Sequence, residues 1–185
     1  ADDYQLMFTW LTQPAVQRYY GGLKSAVGFA DVVAKYRPRA AGEEAVVPCI
    51  VELRGTPAGY IQYYRIGKGE DYDLRGEIIL DFSKSICGID LFLAHESDRG
   101  RGLGTRMIRL LLAYLFGQEG ADEVLVDPQT WNARAVRCYE KCGFRALKVI
   151  ERRELHGGEY KDNLIMRVTG TAFLGQHHKS KGKRR

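Results

Sequence analysis

The sequence predicts an α/β fold, more narrowly α+β, in which a central mixed but mostly antiparallel sheet is flanked by helices. Strand-like and helix-like segments alternate along 185 residues without an internal repeat. A glycine-rich turn, Arg99-Gly-Arg-Gly-Leu-Gly104, joins an apolar strand-like run to an amphipathic helical one. Apolar residues make up 45% of the chain, enough to build one full core, yet no run of 18 apolar residues could cross a membrane.

Residues 4–20 and 29–36 carry helical patterns, the second beginning at Asp31 or just before it. Residues 46–53 and 58–66 form a hairpin around Arg54-Gly55-Thr56-Pro57. A polar loop over 67–73 precedes a short element at 78–82, and the Ile-, Leu- and Phe-rich run 86–94 is the strand that leads into the glycine turn. Residues 103–116 repeat apolar side chains at Met107, Ile108, Leu111, Leu112 and Leu115, the period of a one-sided helix. A strand at 123–127 follows, then a helix with Asn132 as a good N-cap and Gly143 at the left-handed end. Residues 145–155 and 160–168 make a second hairpin around His156-Gly157-Gly158.

Glycines 100, 102 and 104 lack a Cβ, so successive backbone N–H groups there close on an anion at the positive end of a helix. Two familiar phosphate spacings fail. A dinucleotide fingerprint puts Thr105 where its third glycine belongs, and the Gly-Lys-Ser/Thr ending of a nucleotide P-loop occurs nowhere in the chain. The spacing Arg99-x-x-Gly102-x-Gly104 resembles the acetyl-CoA pyrophosphate loop of the GNAT superfamily of N-acetyltransferases. About thirty residues later, Asn132-x-x-Ala135-x-x-x-Tyr139-x-x-x-Gly143-Phe144 resembles the helix that flanks the cofactor in that superfamily. Ala135, Tyr139 and Cys142 share one helical face, and a small alanine there leaves room for a ligand.

The resemblance implies a GNAT acyl-CoA N-acyltransferase fold over residues 1–170, with acetyl-CoA as co-substrate and no metal. It places the cofactor against Leu91, Phe92, Leu93, Arg99, Gly100, Arg101, Gly102, Leu103, Gly104, Thr105, Asn132, Ala135 and Tyr139.

The formal net charge is +5, but the five cations Lys179, Lys181, Lys183, Arg184 and Arg185 account for all of it, so the body of the chain is neutral. Residues 171–185 read as a basic, unstructured tail, with at most non-specific contacts to nucleic acid. His177 and His178 stand without further metal ligands. The amino-terminal stretch has neither a basic nor an apolar leader region, and the four cysteines lack a Cys-x-x-Cys spacing, so reduced thiols and a cytoplasmic location are expected. A monomer and a homodimer both fit, the edge of the second hairpin being available for pairing.

The acceptor is indicated by acids. Asp90 interrupts the apolar run Cys87-Gly-Ile-Asp-Leu-Phe-Leu93, on the same face as Phe92 by alternation. A charge in such a strand needs a partner, so a salt bridge to an arginine is the plain alternative to a catalytic role. Asp127 closes the next strand, the loop at 67–73 carries Glu70, Asp71 and Asp73, and Glu154 lies in the second hairpin. Acids converging in a neutral body suit a polycation. Within the superfamily, the segments Trp10-Leu11-Thr12, Tyr19-Tyr20-Gly21-Gly22, Gly59-Tyr60-Ile61-Gln62, Gly88-Ile89-Asp90, Asp127-Pro128, Arg134 to Tyr139 and Glu154-Leu155-His156 resemble the aminoglycoside 6′-N-acetyltransferases.

That resemblance implies Asp90 as the base beside the acceptor amine and Tyr139 facing the thioester sulfur. Tyr20, Gln62, Asp71, Asp73, Asp90, Asp127 and Glu154 become the contacts to a cationic aminoglycoside. An ammonium cannot attack a carbonyl, so a proton has to leave the acceptor first. An aspartate of pKa ~3.9 is a feeble base, and orienting the amine is the larger contribution open to Asp90. The Tyr139 hydroxyl is a proton source for the leaving thiolate, and backbone N–H groups at 91–93 support the oxyanion. Acetylation of another amine, such as a polyamine, a siderophore precursor or a protein N-terminus, is the alternative within enzymes, and a non-catalytic acetyl-CoA-binding module the alternative outside them.

Overall fold

The strands Val46–Leu53 (β1), Thr56–Arg65 (β2), Ile86–Leu93 (β3), Glu123–Val126 (β4), Arg145–His156 (β5) and Glu159–Thr169 (β6) form a six-stranded sheet in the order β1-β2-β3-β4-β6-β5. The structure is a computed structural model that describes residues 3–20, 27–68 and 78–181, with side chains as far as 175. β3 and β4 run parallel, with Ile86 opposite Glu123 and Gly88 opposite Leu125, while β1/β2 and β4/β6 pair antiparallel. This is the mixed, mostly antiparallel sheet expected from the sequence. The helices are Asp3–Leu11 (α1), Pro14–Gln17 (α2), Phe29–Ala40 (α3), Leu103–Gly117 (α4), Ala133–Lys141 (α5) and Gly170–Lys181 (α6).

One compact unit comprises Ala1–Tyr64, Ile89–Gly104 and Leu155–Tyr160. Its core joins Met7, Trp10 and Leu11 of α1, Val16 of α2, Val32 and Tyr36 of α3, Tyr60 of β2 and Phe92 of β3. Trp10 meets Phe92 edge-on at 6.0 Å, and Tyr60 stacks on Phe92 at 5.8 Å. The β1/β2 turn places Arg54 at φ 56° and Gly55 at φ 78°, the doubly left-handed pair that a tight hairpin needs. At Gly59 the two backbones come so close that any Cβ would run into the Phe92 carbonyl oxygen, which excludes every side chain there.

The second unit comprises Arg65–Gly88, Thr105–Glu154 and Lys161–Arg185. Helix α4 buries Met107, Ile108, Leu111, Leu112 and Leu115, the stripe read from the sequence. Helix α5 ends in a Schellman motif, with Phe144 N bonded to Tyr139 O at 3.1 Å, Gly143 N bonded to Glu140 O at 3.0 Å and Gly143 at φ 95°.

Four expectations change. The helix expected over 4–20 breaks after Leu11, because the residue before Pro14 is driven out of the helical region; Gln13 sits at φ −75°, ψ 128°. Helix α3 runs on to Ala40 through Pro38, losing one backbone bond, while buried Val32 and Tyr36 and the ties of Arg39 to Glu44 and Gln62 hold it. Residues 78–82 form no strand or helix. Ile78 and Leu80 instead pack on Ile150 and Ile165, and Asp81 caps a turn by accepting from Ser83 N at 3.1 Å. The stretch from 171, read as an unstructured tail, begins inside α6, where Phe173 is buried against Phe116 at 5.5 Å and Gly170 N bonds Asp122 O at 3.0 Å.

Candidate active site

Asp90 is the half-buried charge of an otherwise apolar β3. The bond from Ala94 N to Ala58 O and the Tyr60 to Phe92 stack fix the β2/β3 register, and two residues further along the same face Gln62 meets Asp90. Gln62 Nε2 donates to Asp90 Oδ2 at 2.7 Å. Its Oε1 accepts from Arg39 Nη1 at 2.9 Å and from the Tyr60 hydroxyl at 2.8 Å, and Arg39 Nε is paired with Glu44 at 2.9 Å. Gln62, expected as a substrate contact, is only 6% exposed, with both ends of its amide engaged inside the protein. Arg39 is linked to Asp90 through this amide, which is not the salt bridge weighed as the plain alternative.

Tyr20 is packed edge-on against Phe92 at 4.8 Å and Tyr60 at 6.5 Å. Burial first, then the neighbouring Tyr36 and Asp90, pushes the Tyr20 hydroxyl well above the ordinary phenol range, and burial raises Tyr36 and Tyr60 as well. These phenols stay neutral, and the Tyr60 hydroxyl serves as the donor to Gln62. Lys35, on α3, is held below the ordinary lysine value by burial and by Arg39, with Asp90 opposing that shift.

The glycine turn takes left-handed backbone at two of its positions. Gly100 sits at φ 76° and Gly102 at φ 83°, and open space lies where a Cβ would stand at either position. Helix α4 starts at Leu103, so its first N–H groups have no partner within the helix and its positive end faces the turn. Arg99 is a brace here. Its Nη2 donates to Ala15 O at 2.9 Å and Leu93 O at 3.3 Å, with the guanidinium 5.7 Å above the Tyr19 ring and the side chain 10% exposed. Arg101 is exposed, while Leu103, Gly104 and Thr105 are half-buried. Of the expected cofactor contacts at Leu91, Phe92 and Leu93, Phe92 commits its ring to the core and offers a ligand only its backbone, while Leu91 and Leu93 are half-buried. A pyrophosphate fits this turn on backbone grounds.

In the second unit, Asn132 Oδ1 accepts from Ala135 N at 3.2 Å and caps α5, as its residue type predicts. Ala135 is half-buried, and Tyr139, 8% exposed, meets Phe144 edge-on at 5.4 Å. Thr105 Oγ1 lies 3.3 Å from Cys138 Sγ, and Cys142 Sγ donates to Thr105 O at 3.5 Å, tying the start of α4 to α5. Burial pushes the Cys142 thiol up to about 12. The four cysteines are free thiols.

Asp127, just past β4, is paired with Arg153 Nε at 3.0 Å, and their side chains are 27% and 12% exposed. Glu154 Oε2 accepts from Gln129 Nε2 at 2.8 Å and Asn163 Nδ2 at 3.2 Å, and Asn163 Nδ2 also reaches Asp127 O at 2.6 Å. Gln129 Oε1 and Asn163 Oδ1 are buried acceptors with no hydrogen-bond partner among the described residues. The sequence reading missed Arg153, Gln129, Asn163 and Arg39. Strict strand alternation puts Arg153 and Glu154 on opposite faces. Arg152 breaks it by adopting φ 51°, its N–H bonded to Asp162 Oδ1 at 2.8 Å, and the next two side chains are both half-buried. Non-glycine residues rarely take that conformation, and nothing in the residue type announces it.

Gly21, Gly22, Glu70, Asp71, Asp73 and residues 182–185 lie outside the described residues, as do the side chains of His177, His178, Lys179 and Lys181. Among the described residues no cluster of His, Cys, Asp or Glu is suited to a metal ion, and no helix is long and apolar enough to cross a membrane.

A family profile described as an acetyltransferase (GNAT) domain matches residues 1–152. The chain is 35% identical over 143 residues to aminoglycoside N(6′)-acetyltransferase type 1 of Klebsiella pneumoniae, covering 77% of this chain and 69% of that protein. Among solved structures it is similar to AAC(6′)-Ib in complex with ribostamycin and coenzyme A, at 32% identity and TM-score 0.76 over 93% of this chain and 90% of that one. The same enzyme with coenzyme A and kanamycin matches at 30% identity and TM-score 0.76 over 95% and 94% of the two chains.

Proposed function

The chain belongs to the GNAT acetyltransferase family, and from that membership we propose that it transfers the acetyl group of acetyl-CoA to the 6′-amine of aminoglycoside antibiotics, conferring resistance to them. The observation that carries this reading is Asp90: a half-buried carboxylate on an apolar strand, oriented by Gln62, in a chain aligned over most of its length with enzymes of that activity. A neutral acceptor site would not keep a charge there, because its desolvation costs several kcal/mol unless a cation or donor answers it.

Acetyl-CoA supplies an acyl group already activated as a thioester. Residues 99–104 and the first N–H groups of α4 hold its pyrophosphate, and the Arg99 brace keeps the turn open. Asp90 draws the acceptor ammonium by charge, fixes its direction and takes up the proton it sheds. Tyr139 donates its hydroxyl proton to the departing thiolate, and the ring packing against Phe144 holds it in place. Asp127 and Glu154 add carboxylate charge for the remaining ammonium groups of the sugar. Aligning amine and thioester within one complex is worth on the order of 7 kcal/mol, so no acyl-enzyme is required. The reaction belongs in the cytoplasm, where acetyl-CoA is supplied.

The test is CoA release, read with a thiol-reactive dye, from purified protein and acetyl-CoA. Aminoglycosides with a 6′-amine should turn over and their 6′-hydroxyl counterparts should not. Turnover of spermidine in place of every aminoglycoside would move the assignment to polyamines, and no turnover with any amine would leave a binding module.

A further inference from the structure

We infer that Arg39 is a positioning residue for acetyl transfer: together with Tyr60 it locks the Gln62 amide in the orientation that donates to Asp90. This rests on the reading of Asp90 as the residue beside the acceptor amine.

A glutamine amide has two nearly isosteric orientations, and only its hydrogen-bond partners choose between them. Arg39 Nη1 is a donor without acceptor capacity, and it lies 2.9 Å from Oε1. The Tyr60 hydroxyl donates to the same oxygen at 2.8 Å. Flipping the amide would point its NH2 at the guanidinium and its oxygen at the Asp90 carboxylate, two mismatches at once. Water has little access to relieve them, since Gln62 is 6% exposed. Arg39 is itself held by Glu44 at 2.9 Å and lies 5.6 Å over the Tyr36 ring, so the order passes from Glu44 through Arg39 and Gln62 to the carboxylate.

The amide between Arg39 and Asp90 has a chemical purpose. A guanidinium set directly on a carboxylate lowers its pKa by about 1–3 units and weakens it as a base. A neutral amide donor fixes the carboxylate's direction while taking less of its basicity. Among the described residues, the other titratable groups that act on or feel Asp90 include Tyr20, Tyr60 of β2, and Lys35 and Tyr36 of α3.

The experiment is a double-mutant cycle on the full chain with acetyl-CoA and kanamycin, using Arg39→Met, Gln62→Leu and the pair, beside Arg39→Lys, Tyr60→Phe and Asp90→Asn. Arg39→Met should lower kcat about 10-fold with the acetyl-CoA KM unchanged. In the Gln62→Leu background the same substitution should cost nothing further, and Arg39→Lys should recover most of the loss. The acid limb of the kcat profile should move upward in pH in Arg39→Met and Gln62→Leu alike, because each removes donation to the Asp90 carboxylate. If Arg39→Met does not fold, Tyr60→Phe keeps the ring stack and carries the same prediction: a loss with Gln62 present and none with leucine there. Losses that multiply across the cycle, or an unmoved acid limb, overturn the inference while a crippled Asp90→Asn leaves the reading of Asp90 standing. Asp90→Asn with full turnover overturns both.

Discussion

Gln62 donates to Asp90 at 2.7 Å across the β2/β3 pair, two residues from the point where Tyr60 stacks on Phe92 at 5.8 Å. The carboxylate is therefore anchored to the aromatic core of its unit, and its direction is as rigid as that core. Asp90→Asn keeps the shape and an acceptor oxygen for Gln62, so the fold should persist with a melting temperature within a few degrees of wild type. On the proposed role of Asp90, loss of its charge and proton-accepting oxygen should cut kcat on the order of 10²-fold or more at an unchanged KM for acetyl-CoA. Steady-state kinetics beside a thermal melt separate the two effects.

The same strand pair sets a second test at Gly59. A Cβ there meets the Phe92 carbonyl oxygen, and a backbone atom has no rotamer by which to step aside. Gly59→Ala should destabilise the protein by about 2 kcal/mol or more, read as a lower denaturant midpoint at constant slope. Gly117→Ala, at a helical position with open space around it, should be neutral or slightly stabilising under the same assay.

The β3 run, the glycine turn, the α4 stripe and the Asn132 to Gly143 helix were all visible in the sequence because each is written locally, in periodicity, a cap or a left-handed stop. Asp90 stood out because a charge in an apolar strand is costly. Gln62 was named as a substrate contact, but its bond to Asp90 and the Arg39 behind it were not visible, since these side chains come from β2 and α3 and meet only through the fold. The Glu154 cluster was hidden for a different reason. It depends on a left-handed Arg152, and an alternating reading of β5 sends Arg153 and Glu154 opposite ways. The break of the first helix at Pro14, by contrast, follows from a rule the residue itself announces.

Asp127 and Arg153 make a pair whose removal separates binding from stability. Asp127→Asn removes the charge 3.0 Å from a guanidinium that is 12% exposed, which should cost between the ~1 kcal/mol of an exposed pair and the ~3 kcal/mol of a buried one. It should also raise the KM for a polycationic aminoglycoside. Adding Arg153→Met should restore much of the melting temperature and none of the KM. If stability and KM recovered together, the role of Asp127 toward substrate would be indirect.

Alkaline pH should weaken the fold. Burial holds the Cys142 thiol up at about 12 against an ordinary value near 9, and raises Tyr20, Tyr36 and Tyr60 as well. Each group stays protonated in the folded chain at a pH where the unfolded chain releases its proton. Their contribution is thus complete below pH 9 and is lost as pH climbs toward 12. Chemical denaturation at a series of pH values should show stability falling across that window. Cys142→Ala should reduce the slope at its start, and Tyr60→Phe its upper part.

Tyr139 offers the sharpest separation of packing from chemistry. Its ring is 8% exposed and lies edge-on to Phe144 at 5.4 Å, on a helix closed by Gly143 and capped by Asn132. Phenylalanine reproduces that ring and its contacts, so Tyr139→Phe should melt within a few degrees of wild type and bind CoA with nearly unchanged affinity. What it removes is one hydroxyl proton. If that proton goes to the leaving thiolate, kcat should fall on the order of 10²-fold with acetyl-CoA. The loss should shrink with an acetyl thioester whose thiol is more acidic, because a better leaving group needs less protonation. A merely structural tyrosine would show the same ratio of rates for both thioesters. Equal ratios together with a lowered melting temperature would assign Tyr139 to the packing of α5, and an unequal ratio at an unchanged melting temperature assigns it to the chemistry.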